Sequence, residues 1–274
     1  MNKNLLKKKI DELVYRSAFE LPEDVLLAIV SAYRKETNPK AKDVLKMIVD
    51  NAKSAKDNQL AICQDTGFPV IFIEAGKNVK ITRSLIETIE KGVALGYKSN
   101  SLRASVVDPV QRSVFGFDGL VWHLRFTKNN KTKITLLPKG FGSENKSALR
   151  MFDPTADWQE IEKFVVDSVK QAGPSACPPF VVGIGLGGTA DECLSLAKES
   201  LLSDIRILNP DTVLRKHEKN LLQKINALNL GPMGFGGKTT ALAVRIKKAP
   251  THIAGLPVGL NISCHALRRA SVVL

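Results

Sequence analysis

At residue 68 the hydrophobic period of this 274-residue chain changes. Before it, apolar residues recur at helical spacing, and two prolines mark where helices begin. Pro22 opens PEDVLLAIVSAYRKE, with Leu26, Ile29, Val30 and Tyr33 expected on one face, and Pro39 opens KAKDVLKMIVDNAKSAK. After it come short strand-like runs: PVIFIEA, then LVWHLRFT and KITLLP on either side of the turn-forming KNNKTK. Helical stretches (ITRSLIETIEKGVALGY, WQEIEKFVVDSVKQ, DTVLRKHEKNLLQKINAL) alternate with further strands (FVVGIGL, TALAVRIK, PVGLNIS) without a steady βαβ rhythm. The pattern predicts an α+β (mixed α/β) fold: a helical N-terminal portion over residues 1–57, then a mixed α/β region over 58–274.

Charge and composition narrow the function. The net charge is +13, but the lysines are dispersed and aromatic residues make up only 6%, too few for a base-stacking platform. Such a surface reads first as an ordinary Lys-rich solvated surface, second as one that attracts a small polyanionic substrate, and last as one that binds nucleic acid. No apolar run approaches the roughly 20 residues that a membrane helix needs. The start, MNKNLLKKKIDEL, is basic with no apolar segment behind it, so no signal peptide is read there and a cytoplasmic protein is expected.

Three glycine loops echo one another: KGFGSEN at 139–145, GLGGTAD at 185–191 and GFGGKTT at 234–240. Loops of this kind expose backbone N–H groups that bind anions. Gly183, Gly185 and Gly188 satisfy G-x-G-x-x-G, yet Asp204 leads only into the short IRIL rather than closing a second long strand, as a dinucleotide fold requires. GPMGFGGKTT fails as a P-loop because Pro232 stands where its first glycine belongs.

The cysteines carry the sharper signal. None of Cys63, Cys177, Cys193 and Cys264 forms a C-x-x-C pair, which argues against zinc ribbons and thioredoxin-like chemistry. Cys193 shares a helical face with Leu196, Ala197 and Leu201, behind a capping box formed by Thr189 and Glu192, and reads as a core residue. The others each stand where an apolar run meets a turn: AICQDTG, GPSACPPF and NISCHAL. Three such thiols suit a cluster with one open coordination position, or else are three unrelated core residues.

The segments CQDTG, RASVVDP, LPKGFGSENKSAL, ACPPFVVGIGLGGTAD, GPMGFGGKTT and PTHIAGLPVGLNISCHALRRA together resemble the alpha subunit of the class I, iron–sulfur-dependent fumarate hydratases and the similar L-tartrate dehydratases. The resemblance implies the fold of their alpha domain, with mixed sheets surrounded by helices. It implies that Cys63, Cys177 and Cys264 hold a [4Fe–4S] cluster whose fourth iron lacks a protein ligand. By the same resemblance Gln64 and Asp65 lie beside the substrate, with Asp65 a candidate acid. Arg103 clamps a carboxylate, Gly140 and Gly142 make backbone contacts, and His252 binds substrate or relays a proton. Guanidinium suits that clamp because it binds carboxylate through two parallel N–H bonds. The implied reaction is reversible hydration of a C4 dicarboxylate, fumarate to malate first and L-tartrate to oxaloacetate second. After RASVVDP the chain reads VQRSVFGFDG where many members are Asn-rich, so the substrate is left open. Single-chain members continue where this chain stops at Leu274, which implies a separate β subunit that completes the site in an α2β2 assembly. The alternative is a basic scaffold or nucleic-acid-binding protein that keeps the fold without the cluster.

Overall fold

The structure, a computed structural model, describes residues 3–116 and 119–274. Phe117 and Asp118, within the VQRSVFGFDG stretch, lie outside the described residues. The elements in chain order are α1 (Lys3–Phe19), α2 (Glu23–Lys35), α3 (Pro39–Asn58), β1 (Phe68–Ala75), α4 (Arg83–Ser99), β2 (Val106–Val107), β3 (Val114–Gly116), β4 (Val121–Phe126), β5 (Lys133–Lys139), α5 (Phe141–Glu144), β6 (Ala148–Phe152), α6 (Trp158–Ala172), β7 (Phe180–Leu186), α7 (Ala190–Ser200), α8 (Thr212–Asn226), β8 (Ala241–Lys248), β9 (Leu256–Ser263) and β10 (Ala270–Val273). The architecture is mixed α/β, as the alternating texture predicts. Contacts divide it into two compact units, one of residues 1–22, 52–141 and 268–274, the other of 23–51 and 142–267. The division runs through the helical N-terminal portion.

The first unit is built on a four-stranded sheet in the order β10–β5–β1–β4. The strands flanking KNNKTK do not pair with each other. β1 lies between them, parallel to β4 with Val70 opposite Val121, and antiparallel to β5 with Phe72 opposite Thr135. The reason is composition: VIFI of β1 is buried throughout, so it takes a position hydrogen-bonded on both edges. Helices α1 and α4 contribute Leu6, Ile10, Val14, Ile89 and Val93 to a core shared with Ile71, Ile73, Ile134 and Leu136. Each fully buried aliphatic side chain there is worth about 1.5–3 kcal/mol.

The second unit carries the order β6–β9–β7–β8, with β7 parallel to β8 and antiparallel to β9. The face of α2 turned inward is Val25, Ile29 and Ala32, whereas Leu26, Val30 and Tyr33 are only half-buried. Asp24 decides the rotation: it is buried and its carboxylate accepts the Ile205 amide at 2.9 Å, which turns the 25/29/32 stripe toward the core. α3 starts at Pro39 with the Asn38 side chain accepting the Lys40 amide at 3.1 Å. α7 lies close on the sheet. A Cβ on Gly185 would sit 2.0 Å from the Cys193 carbonyl oxygen, and one on Gly183 would sit 2.2 Å from that of Ala197. Two glycines of the G-x-G-x-x-G pattern therefore serve helix-on-sheet contact. The capping box does not form: the Thr189 hydroxyl donates to Asp191 at 2.6 Å, because the acid two residues on is the nearer acceptor.

Candidate active site

In the first unit, CQDTG is a tight turn between the end of α3 and β1. The Ile62 amide donates to the Ala18 carbonyl of α1 at 3.0 Å, fixing the entry to Cys63. Gly67 has φ of 82°, and a Cβ there would lie 2.6 Å from the Pro138 carbonyl carbon, so only glycine fits the exit. Between them, Asp65 is half-buried and accepts two backbone amides: Gly67 to Oδ1 at 2.9 Å and Phe141 to Oδ2 at 2.9 Å. The Tyr97 hydroxyl, at the end of α4, donates to the carbonyls of Thr66 and Gly67, 3.2 Å from each. Burial pushes the Tyr97 phenol well above its ordinary range, so the hydroxyl stays a donor. The Thr66 hydroxyl donates to the Arg103 carbonyl at 3.0 Å and Arg268 Nη2 to the Asp65 carbonyl at 2.7 Å.

These bonds bring the five expected residues of this unit, Cys63, Gln64, Asp65, Arg103 and Gly140, onto one framework. Asp65 faces the 139–145 loop directly, since a Cβ on Gly140 would stand 3.2 Å from Asp65 Oδ2. Arg103 is tied in through its backbone, while its exposed guanidinium makes no hydrogen bond among the described residues. Gln64 is exposed beside Cys63. The arrangement presents an amide and a guanidinium to solvent and holds a carboxylate and a half-buried thiol behind them.

In the second unit, Cys177 ends the 3-10 turn Pro174–Ala176 and stands just before β7, while Cys264 follows β9. Register places Val181 opposite Ser263, so both thiols lie at one end of the sheet. The loops are bonded to each other. The His265 amide donates to the Cys177 carbonyl at 3.2 Å, and His265 Nδ1 lies 3.1 Å from the same oxygen. Cys177 has φ of 56°, a left-handed conformation that a non-glycine residue holds only when its surroundings enforce it. Those bonds and its amide to Pro174 O at 2.9 Å enforce it. Gly142 borders the same turn, with a Cβ there 3.6 Å from the Ser175 carbonyl oxygen. Glu144 anchors its loop, 2.5 Å from Lys198 Nζ and 2.8 Å from Asn261 Nδ2. Next to Cys264, His265 lines an apolar groove of about 600 Å³ with Val44, Met47, Ile48, Met233 and Phe235.

His252 stands apart from these two thiols. It lies exposed in the β8–β9 connection, at the Leu186 end of β7, whereas Cys177 and Cys264 lie at the Phe180 end. At about 3.3 Å per residue the strand separates the two ends by roughly 20 Å. The glycine loops are already filled by the chain itself. Glu36 accepts the Lys238 amide of the 234–240 loop at 2.7 Å, Asp65 accepts Phe141, and the amides of Gly187 and Gly188 are bonded to the Pro257 and Pro250 carbonyls. No phosphate is needed to satisfy those donors. Cys193 is fully buried against β7, with its thiol 3.1 Å from the Gly185 carbonyl, and burial pushes it up to about 11.

The sequence profile of the family described as fumarate hydratase (Fumerase) matches residues 7–273. The chain belongs to that family. Among its relatives are a Methanocaldococcus jannaschii protein named for an L(+)-tartrate dehydratase subunit alpha, 43% identical with 94% of each chain covered, and the Escherichia coli K12 L(+)-tartrate dehydratase subunit alpha, 24% identical over 100% of this chain and 93% of its own. A Geobacillus stearothermophilus protein named for a class I fumarate hydratase is 31% identical over 97% of this chain, which spans only 54% of that protein's length. Membership of the fumarate hydratase family places the chain among hydro-lyases. No helix among the described residues is long and apolar enough to cross a membrane.

The donor set fits the cluster that the resemblance implies. Cys63, Cys177 and Cys264 are half-buried and form no disulfide, and soft thiolates suit iron–sulfur clusters. Among the described residues no three His, Cys, Asp or Glu side chains converge as on a single metal ion. A polynuclear cluster does not ask for that, since its thiolates bind different irons. Sequence reading missed Tyr97 and Arg268, which hold the CQDTG turn. The only trace of either in the sequence is the RR pair that follows SCHAL.

Proposed function

We propose that this chain is the alpha subunit of a hydro-lyase acting on a C4 dicarboxylate, with fumarate and malate the first substrates to test and L-tartrate the second. The family match over residues 7–273 carries the reading. Cys63, Cys177 and Cys264 would hold a [4Fe–4S] cluster, a ligand set supported by the hydrogen bond that ties the Cys177 loop to the Cys264 loop. When bound, the cluster supplies Lewis acidity at the iron without a protein thiolate.

The chain's own residues do the rest. Arg103, exposed and with its N–H groups unused among the described residues, takes a substrate carboxylate bidentately. Gln64 offers an amide donor from the neighbouring turn. Asp65 is held by the two backbone amides, and each of its oxygens keeps a lone pair on which a proton can rest. Its two structural bonds fix where that proton is exchanged. Addition of water across a double bond needs groups on both faces of the substrate. A separate β subunit, in an α2β2 assembly, supplies the second face, in keeping with relatives named as subunit alpha.

The test is anaerobic co-expression with a candidate β subunit, followed by assay on fumarate, malate, both tartrates and mesaconate. Hydration or dehydration by the pair, and none by this chain alone, is expected. Full activity from the lone chain would overturn the two-subunit reading. Inactivity of the pair on every dicarboxylate would overturn the substrate class.

A further inference from the structure

Arg268 is a buried cation that the fold leaves largely uncompensated. It is 2% exposed and starts the segment that returns from the second unit to form β10. Its Nη2 donates to the Asp65 carbonyl at 2.7 Å, but Nε and Nη1 are shut away from solvent with no hydrogen-bond partner among the described residues. A guanidinium carries five N–H donors, so the three on Nε and Nη1 are unmet. The carboxylate of the turn, Asp65, accepts one amide on each oxygen, from Gly67 and Phe141, and forms no ion pair with Arg268. Burying a charge with most of its donors unmet and no ion pair in direct contact is among the more expensive things a fold can do. Tyr97 and Thr66 also hold the turn with neutral hydrogen bonds, so the Arg268 bond is one fastening among several.

We propose that Arg268 is a positioning residue whose charge is the counter-ion for an anionic group bound at the Cys63–Asp65 turn. Resting on the functional reading above, that group is the thiolate-ligated cluster together with the dicarboxylate beside it. Arg268 acts through the Asp65 carbonyl and through its field at the half-buried turn. Loading the site therefore relieves a cost already built into the unloaded chain. A binding event that brings negative charge gains more than its direct contacts provide.

The proposal separates charge from shape. Wild type, Arg268→Lys and Arg268→Met are each prepared with the β subunit and reconstituted anaerobically. Iron and sulfide content, the rate of iron release to a chelator, and the melting temperature of loaded and stripped protein are then measured. Wild type and Arg268→Lys should share the same gain in melting temperature on loading. Arg268→Met, which keeps much of the volume and loses the charge, should show a smaller gain and release iron at least about tenfold faster. Equal lowering of the loaded and stripped melting temperatures in Arg268→Met, with unchanged iron release, would make Arg268 a packing residue and overturn the proposal. If Arg268→Met does not fold, Arg268→Lys decides. Wild-type loading supports the charge, and failure of Lys as well shows that shape is what matters. Wild-type protein that takes up no iron would instead refute the cluster reading, a separate outcome from either.

Discussion

Removing the hydroxyl of Tyr97 deletes one donor and keeps the buried ring. The ring is 2% exposed in the core of the first unit, and its single O–H is shared between the Thr66 and Gly67 carbonyls at 3.2 Å each. Tyr97→Phe keeps the packing and deletes that one donor, leaving two carbonyls of the CQDTG turn without it. One hydrogen bond nets about 0.5–1.5 kcal/mol, and a buried group left unpaired adds to the loss, so about 1–2 kcal/mol is expected. At roughly 2–4 °C per kcal/mol for a chain of this size, the melting temperature should fall by about 2–8 °C. Because burial keeps the phenol protonated, the difference should not vary between about pH 6 and pH 9. Paired thermal and urea unfolding of the two proteins measures it. The same substitution should speed loss of iron from reconstituted protein, since the turn bearing Cys63 is held more loosely. A variant as stable as wild type would show that the Tyr97 bonds do not hold the turn.

Gly185→Ala should destabilise by at least about 3 kcal/mol, because its Cβ would meet the Cys193 carbonyl oxygen at 2.0 Å and α7 cannot shift without leaving the sheet. A soluble variant with an unchanged denaturant midpoint would contradict this. Glu36 accepts the amides of Thr37, Asn38 and Lys238. Burial alone would raise its carboxyl, but those bonds outweigh it and hold the group below 4.5. A depressed value means stability that is present above about pH 4.5 and lost as the pH falls through the lower folded value. The stability difference between wild type and Glu36→Gln should therefore shrink on acidification toward about pH 3. A difference that stays constant would exclude the linkage. Arg103→Lys should leave stability within about 0.5 kcal/mol, as the side chain is exposed and makes no bond among the described residues, yet lower kcat/KM at least about tenfold. Unchanged kinetics would remove Arg103 from the site.

What could be read ahead of the structure was what local chemistry writes into a few neighbouring residues. Pro39 marked the start of α3, and the apolar PVIFIEA run marked a strand. The contrast between Cys193, on a helix face, and the three cysteines at junctions was visible for the same reason. Partner choice was not. Nothing in the period-2 pattern says that β1 inserts between β4 and β5, because alternation specifies a face and not a neighbour. Nor could it say that Glu36 fills the GFGG loop about 200 residues away, which turns an apparent anion site into an internal contact. Arg268 was hidden for a related reason. A guanidinium in a sequence reads as surface, and only the fold shows that this one is enclosed. His252 marks a further gap between motif and place. It shares one sequence segment with Cys264, yet β9 runs between them and carries them to opposite ends of the sheet.

The central claim is that Cys63, Cys177 and Cys264, and not Cys193, hold an iron–sulfur cluster. Anaerobic iron and sulfide analysis of reconstituted protein carrying serine at each of the four positions tests it most directly. The account predicts the full complement of a [4Fe–4S] cluster in wild type and in Cys193→Ser, with its loss or depletion in each of the other three. A full complement in Cys63→Ser, Cys177→Ser or Cys264→Ser, or its loss in a folded Cys193→Ser, would contradict the account.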